Sequence, residues 1–551
     1  MRWFSTAEFS FGGRVIDMLM DERTKSILDF ERVLAELHPM TPFGQKLKNE
    51  IKAFKANEKN LLLEELDRVA ELKELINVQR TVFVEIRTQM RLIKDIRKSV
   101  ERCIAGGVLS VVEFFELKNF VYIVKAISES QKTLQWAIPD KYVVNGLHWV
   151  EAVLDPEETG IKTFYIYDNY SEALSTIRKQ KAICEHKLDS LKKEAVKKAE
   201  EKLGIPVRSN GEITVSKSQA DLLKKLKDSS MLEAVGETYI NVTYRVKPGE
   251  EMLELLKGID ALKGDEAAEE ALILEKLSGQ IALRGSEILL VMDAIAEFDL
   301  VVAKAYLANG YNGVKPLIRD SACLVLKNGR HPLVEAGLRK RGKTFTPISV
   351  NLEKGVALIT GANMGGKTVS LKMIGLLAAM AQYGFLVPAD HMELGMNAYI
   401  YITAGDEQSI DLGLSTFGAE IRSVKEALLK SGSQGMILID ELARGTNPHE
   451  GYAISKAIIN YLADKPCITI ITTHFDGLVR EGIRHLQVKG LRNIDFGNIK
   501  DPDAISEYMD YTLIEVHGEA VVPQDAINIS RLMGVPEEIL LQAEAIMNKN
   551  H

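Results

Sequence analysis

The sequence predicts an α/β domain at the C-terminus, preceded by a mainly helical region that carries a small mixed tip. Three observations predict it. Residues 1–310 place apolar side chains at three- and four-residue steps with few breakers. Beyond about 310, glycine becomes frequent and short β-branched runs alternate with helical stretches. In that second part a glycine-rich loop, GANMGGKT (361–368), joins a strand pattern to a helix pattern.

Composition supports this division. A chain of 551 residues is long enough for roughly three or four domains. Hydrophobic residues at 46% and charged residues at 26% describe a soluble globular chain and exclude disorder or a collagen-like repeat. Proline is 15 of 551, roughly half the usual share, so long helices are expected. A formal charge of -8 excludes a globally basic nucleic-acid binder but not a local basic surface. Cys103, Cys184, Cys323 and Cys467 are too scattered for a metal spacing or a disulfide framework, so a cytoplasmic setting is expected. No signal peptide and no apolar run of 18 residues stand in the sequence, so no membrane partner is expected.

In the helical part, segments 60–76 and 172–203 are amphipathic, and the second has no internal proline or glycine. Turn residues follow in LGIPVRSNG (203–211), then an alternating strand pattern in TYINVTYRV (238–246), then helical periodicity again over 249–308. The pattern reads as a long helix out, a small tip at about 205–245, and a long helix back. An ordinary helical bundle fits the same periodicity. Residues 178–227 hold fourteen Lys or Arg against seven Asp or Glu, so this segment is +7 on an acidic protein. Such a surface suits a phosphate backbone. It equally suits a solvated helix face with internal Lys–Glu pairs.

In the α/β part, GVALIT (355–360), GMILID (435–440) and CITIITT (467–473) read as buried parallel strands. The loop after the first matches G-x-x-x-x-G-K-[ST] in its required setting, between strand and helix. Gly361, Gly365 and Gly366 let successive N–H groups face one point, and the helix start adds partial positive charge. Lys367 is placed to reach the β- and γ-phosphates and Thr368 to offer a hydroxyl to Mg²⁺. This is the pattern of a P-loop NTPase domain. ILIDEL (437–442) supplies Asp440 for the metal and Glu441 to polarise water. His474 ends the third strand, where it either contacts the γ-phosphate side or is structural.

Together these residues resemble the MutS family of ATPases. GANMGGKT is similar to the TGPNMGGKS loop of that family, with Ala362 for the usual proline and Thr368 for serine. DELARGTNPHEG (440–451), TTHF (472–475), GRHPLVE (329–335) and LSTFGAEI (414–421) resemble further family segments, and GVPEEILLQA (534–543) resembles its C-terminal dimerisation helices. Upstream, 29–47, 166–180 and 296–308 resemble the core and lever borders more weakly.

The resemblance implies ATP and Mg²⁺ as cofactors. It implies nucleotide contacts along Gly361, Ala362, Asn363, Met364, Gly365, Gly366, Lys367 and Thr368, with Asn363 facing the γ-phosphate side. It implies Phe345 as the adenine-stacking ring, though a core phenylalanine reads the same way. It implies Ser415 reaching the nucleotide of the opposite subunit, though an N-cap of the following helix fits too. Domains follow as a core and lever region over 1–310 and an ATPase domain over 311–551, with a dimerisation element at about 520–551. A clamp lies at the basic tip, where DNA contact through 178–227 becomes the favoured account.

GDEQSI (405–410) and TNPHEG look closer to the subfamily acting on recombination intermediates or stalled ribosomes. The expected form lacks both the mismatch-reading N-terminal domains and an Smr nuclease domain. The family's mismatch-reading Phe-x-Glu belongs to those N-terminal domains, and Phe114-Phe115-Glu116 matches its letters by chance in a helical segment. VVPQDAINIS (521–530) departs from the family pattern. The expected function is a DNA-binding ATPase in repair or recombination, acting as a homodimer or paralogue heterodimer. The alternative is a nucleotide-gated regulator of a protein complex or ribosome.

Overall fold

The computed structural model describes residues 19–361, 366–403, 416–443, 446–475, 477–491, 509–516 and 526–549. It divides into two compact units that interleave along the chain. One holds 93–129 and 144–293, and the other holds 1–92, 130–143 and 294–551.

The first unit is built on two long helices. Glu172–Leu203 starts at Ser171, whose hydroxyl accepts from the Leu174 N–H, and stops at Gly204 in the left-handed region with φ 70°. Glu250–Gly310 returns, with a break in helical geometry at Arg284 (φ -127°, ψ 16°); from residue 294 it belongs to the other unit. Arg178 pairs with Glu266 and Glu270 at 3.0 and 2.8 Å, joining the two helices. Between them lies a three-stranded antiparallel sheet of β1 (Glu212–Ser216), β2 (Leu232–Glu237) and β3 (Asn241–Val246), ordered β1-β3-β2, with the short helix Ala220–Lys227. Alternation drives this tip: Ile213, Val215, Val242 and Tyr244 point inward and pack on Ala199, Leu203 and Leu226. At the base, Lys118 and Asp155 are both buried and 3.3 Å apart. The Tyr122 and Tyr167 hydroxyls also reach Asp155, so the buried charges are satisfied. Phe114 is wholly buried in its helix, which agrees with a chance match to the mismatch-reading letters.

The second unit contains two sheets. β4 (Leu317–Arg319), β5 (Cys323–Gly329), β6 (Ile348–Glu353) and β8 (His391–Gly395) form a four-stranded sheet ordered β4-β8-β5-β6. β7 (Gly355–Thr360), β9 (Ile400–Thr403), β10 (Met436–Ile439), β11 (Ile468–Thr472), β12 (Arg484–Leu491) and β13 (Met509–Glu515) form the larger sheet, ordered β13-β12-β7-β11-β10-β9. Only the β12–β13 pairing is antiparallel. The parallel strands β7, β9, β10 and β11 are buried at every position, as a sheet covered on both faces requires.

The helix Lys367–Gln382 is buried almost all round, which explains its run of Leu, Ile, Ala and Met. Gly375 lies so close to Leu438 and Leu28 that a Cβ there would overlap both. Residues 19–30 therefore pack onto the larger sheet and its helix: Phe30 contacts Tyr383 and Phe385, and the Leu19 carbonyl accepts from the Ile400 N–H. Among the described residues no helix is long and apolar enough to cross a membrane.

Candidate active site

The C-terminal ends of β7, β10 and β11 and the start of one helix meet at the site. After β7 the chain turns at Gly361 with φ 131°, and a Cβ there would lie 2.9 Å from the Val488 carbonyl oxygen of β12. Glycine is required by both facts. The helix Lys367–Gln382 begins at Gly366 (φ 84°), with no side-chain cap and no acid in its first turn. Its uncapped N–H groups make a ready anion site. Lys367 is 4% exposed and donates to the Gly361 carbonyl at 2.7 Å. Burial pulls its pKa down, while the charges of Glu441 and Asp440 pull it back up.

Asp440 emerges from β10 into a lattice of hydroxyls. It accepts from Thr368 at 2.9 Å and from Thr472 at 2.7 Å. Thr472 also accepts the Glu441 N–H at 2.8 Å, so one threonine orients both acids. Glu441 and Ala443 hold positive φ values of 55° and 63°, a conformation costly for residues with a Cβ. Hydrogen bonds that hold this strained turn include the Thr472 bond, the Ser455 hydroxyl donating to the Leu442 carbonyl, and the Glu420 carboxylate, which accepts from the Ala443 N–H. His474 Nε2 lies 2.7 Å from Glu441 Oε1.

Beside Gly366 opens a cleft of about 540 Å³, walled by Val334, Leu338, Phe345, Ile348, Val369 and Tyr511. Phe345 is half-buried in this wall and not in the core. Tyr511 from β13 closes over Gly366; a Cβ on that glycine would lie 3.1 Å from its ring.

The structure thus brings together Gly361, Gly366, Lys367, Thr368, Asp440, Glu441 and His474, with Phe345 in the adjoining cleft. Ala362, Asn363, Met364, Gly365 and Ser415 lie outside the described residues. Sequence reasoning missed Thr472, Glu420 and Tyr511. Thr472 and Glu420 stand inside the motifs TTHF and LSTFGAEI, but their partners are 32 and 23 residues away and only packing pairs them. Tyr511 carries no signal beyond an alternating strand.

Residues 357–550 match the family model of MutS domain V. The chain is 28% identical to endonuclease MutS2 of Shouchella clausii over 95% of its own length. It is 30% and 31% identical to the proteins of that name from Lachnospira eligens and Ruminiclostridium cellulolyticum, over 83% of its length in each case. This chain belongs to the MutS family. Within the family it is MutS2-like, and it spans 64%, 56% and 57% of the length of those three relatives.

The GRHP segment, which precedes the matched region, has a structural part. Arg330 pairs with Glu335 and donates to the Tyr311 carbonyl at 2.9 Å. His331 is buried, and burial pushes its pKa down to about 4 despite Asp29 at 3.7 Å.

Proposed function

We propose that this chain is an ATPase that hydrolyses the β–γ bond of ATP and couples nucleotide state to DNA engaged by the tip at 205–245. The observation that carries the reading is the meeting of Lys367, Thr368, Asp440 and Glu441 at one end of a parallel sheet, where ligands sit in such folds. The uncapped helix start and Lys367 bind the phosphates, and Phe345 with Tyr511 flanks the base. Thr368 and Asp440 present adjacent hard oxygens, a donor set that fits Mg²⁺, which when bound neutralises phosphate charge. Glu441 takes the proton of the attacking water, and His474 orients that carboxylate.

A second reading, a nucleotide-gated regulator of a protein complex or ribosome, draws support from ion pairs on the long helices that lead to the tip. Lys193 pairs with Asp189 and Lys198 with Glu194, each at 2.7 Å, and Lys187 pairs with Glu251. These pairs are exposed and weak, so a polyanion competes for them readily. Changing Lys192, Lys193, Lys197 and Lys198 together to Glu should weaken DNA binding. It should also flatten the salt dependence by about one unit for each phosphate that a lysine no longer neutralises. Binding isotherms at several salt concentrations measure both, and unchanged isotherms favour the second reading.

We also propose that the chain works as a dimer with composite sites, through the region 520–551, and that Ser415 completes the site of the opposite subunit. Lys367→Ala and Ser415→Ala homodimers should each be inactive. Random mixing makes half the dimers heterodimeric, each with one intact site, so about a quarter of parental activity should return. No recovery after confirmed subunit exchange leaves Ser415 acting within its own subunit.

A further inference from the structure

β10 and β11 run parallel with Ile439 opposite Ile471, so the next step of the register sets Asp440 beside Thr472 at the C-terminal end of the sheet. Thr472 is wholly buried there. Its hydroxyl has one proton and two lone pairs, and its neighbours fix how they are used. The Glu441 N–H can only donate, so at 2.8 Å it takes a lone pair of the hydroxyl. The proton then goes to Asp440 Oδ1, 2.7 Å away. One carboxylate and the backbone of the next residue are thus tied to a single oxygen.

The tie matters because of the backbone it holds. Glu441 has φ 55°, in the left-handed region, and Ala443 two residues on has φ 63°. Such backbone is costly for residues with a Cβ and persists only where its surroundings hold it. The Thr472 oxygen holds it at the residue that carries the proposed base. The same oxygen holds Asp440, which also accepts from Thr368 at 2.9 Å in the pair that fits Mg²⁺. Lys367 is held separately, through the Gly361 carbonyl. The Thr472 hydroxyl therefore acts on the two acids and not on the phosphate cradle.

We propose that Thr472 is a positioning residue for hydrolysis. Its hydroxyl fixes the backbone of Glu441, and with it the direction of the carboxylate, while keeping Asp440 turned to the metal side. This rests on the reading of Glu441 as the base and adds to it the group that holds the base in place. Thr472 serves turnover and not nucleotide binding.

The test uses the full chain and two pairs of side chains at position 472 that differ in their hydroxyl, Thr against Val and Ser against Ala. At saturating Mg²⁺, Thr472→Val should lower kcat about 10–100-fold, the usual cost of losing a group that orients a metal ligand. KM for ATP, and the affinity for a fluorescent ATP analogue in EDTA, should stay near parental values. Thr472→Ser should hydrolyse ATP at nearly the parental rate and Thr472→Ala should match Thr472→Val, so either pair decides the matter if a member of the other does not fold. Thr469→Val removes another wholly buried hydroxyl of β11 and should leave kcat unchanged. Added to Glu441→Gln, Thr472→Val should cost little more, because residues that act as a unit are not additive. A parental kcat in Thr472→Val overturns the proposal, and so does a loss that Thr472→Ser or Thr469→Val shares. Weaker analogue binding in EDTA, or a fully multiplied loss on top of Glu441→Gln, overturns it as well. A parental rate in Glu441→Gln alone overturns the reading of the base itself, and is seen before any variant at position 472 is made.

Discussion

Glu441→Gln should leave ATP bound and slow its hydrolysis by roughly 10²–10⁴-fold, the range for loss of a general base. The substitution removes the carboxylate proposed to take the proton of water. It keeps a side chain of the same shape, and the Glu441 N–H to Thr472 bond belongs to the backbone and survives. The phosphate cradle at Gly361, Gly366 and Lys367 is untouched, so affinity for a fluorescent ATP analogue should hold. Phosphate release measured alongside nucleotide binding separates the two effects. Lys367→Ala should do the reverse, weakening binding first, because it removes the buried side chain proposed to hold the phosphates. Hydrolysis at the parental rate by Glu441→Gln would sink the assignment of that residue as the base.

Lys304→Ala should destabilise the second unit by about 3–5 kcal/mol, the usual cost of removing one partner from a buried ion pair. Lys304 is 3% exposed and sits near the end of the long helix Glu250–Gly310. It donates to Glu65 at 2.8 Å and to the Tyr383 carbonyl at 3.2 Å, just past the C-terminus of the phosphate-loop helix. Without it Glu65 keeps a buried charge and is left with the half-exposed Lys141 at 3.7 Å as counter-ion. The double variant Lys304→Met/Glu65→Leu should recover most of the loss, since well-packed apolar replacements of buried pairs are close to neutral. The pair also predicts a pH limb. Burial pushes the Glu65 carboxyl up, but the charge and hydrogen bond of Lys304, with the charge of Lys141 and the Tyr142 hydroxyl, outweigh it, and the net shift is downward. A lowered carboxyl pKa stabilises the fold above the unfolded value near 4.3 and loses that stabilisation as pH falls through the folded value. Chemical denaturation at pH 7 and below pH 4 should therefore show a larger drop for the parent than for the double variant. An equal drop in both would remove Glu65 from the acid limb.

Much of the site is legible in the sequence because its parts are local. A strand, a glycine loop, a lysine and a hydroxyl residue lie within fourteen consecutive positions, 355–368, and each has a backbone or chemical reason for its type. The acids Asp440 and Glu441 are legible because a buried strand must end before a charge. Spacing alone leaves His474 between two accounts; the fold puts its ring against Glu441. Phe345 is likewise open between core and cleft, and packing puts it in a cleft wall with Tyr511 from a strand more than 160 residues away.

The sequence by itself determined the helical character of the first part, the strands β7, β10 and β11, the glycine loop, the acid pair and the excess of base in 178–227. Those depend on periodicity, glycine geometry and charge, which act over a few residues. Tertiary structure decided what meets across the chain. It made Thr472 the hydroxyl that orients both acids, and it set Glu420 against the strained Ala443 turn. It paired Lys304 with Glu65 and left Tyr239 and Ile240 in water while their neighbours Val242 and Tyr244 went inward. Such pairings follow from which surfaces the folded chain can bury together, and no local pattern encodes a partner that lies tens or hundreds of residues away.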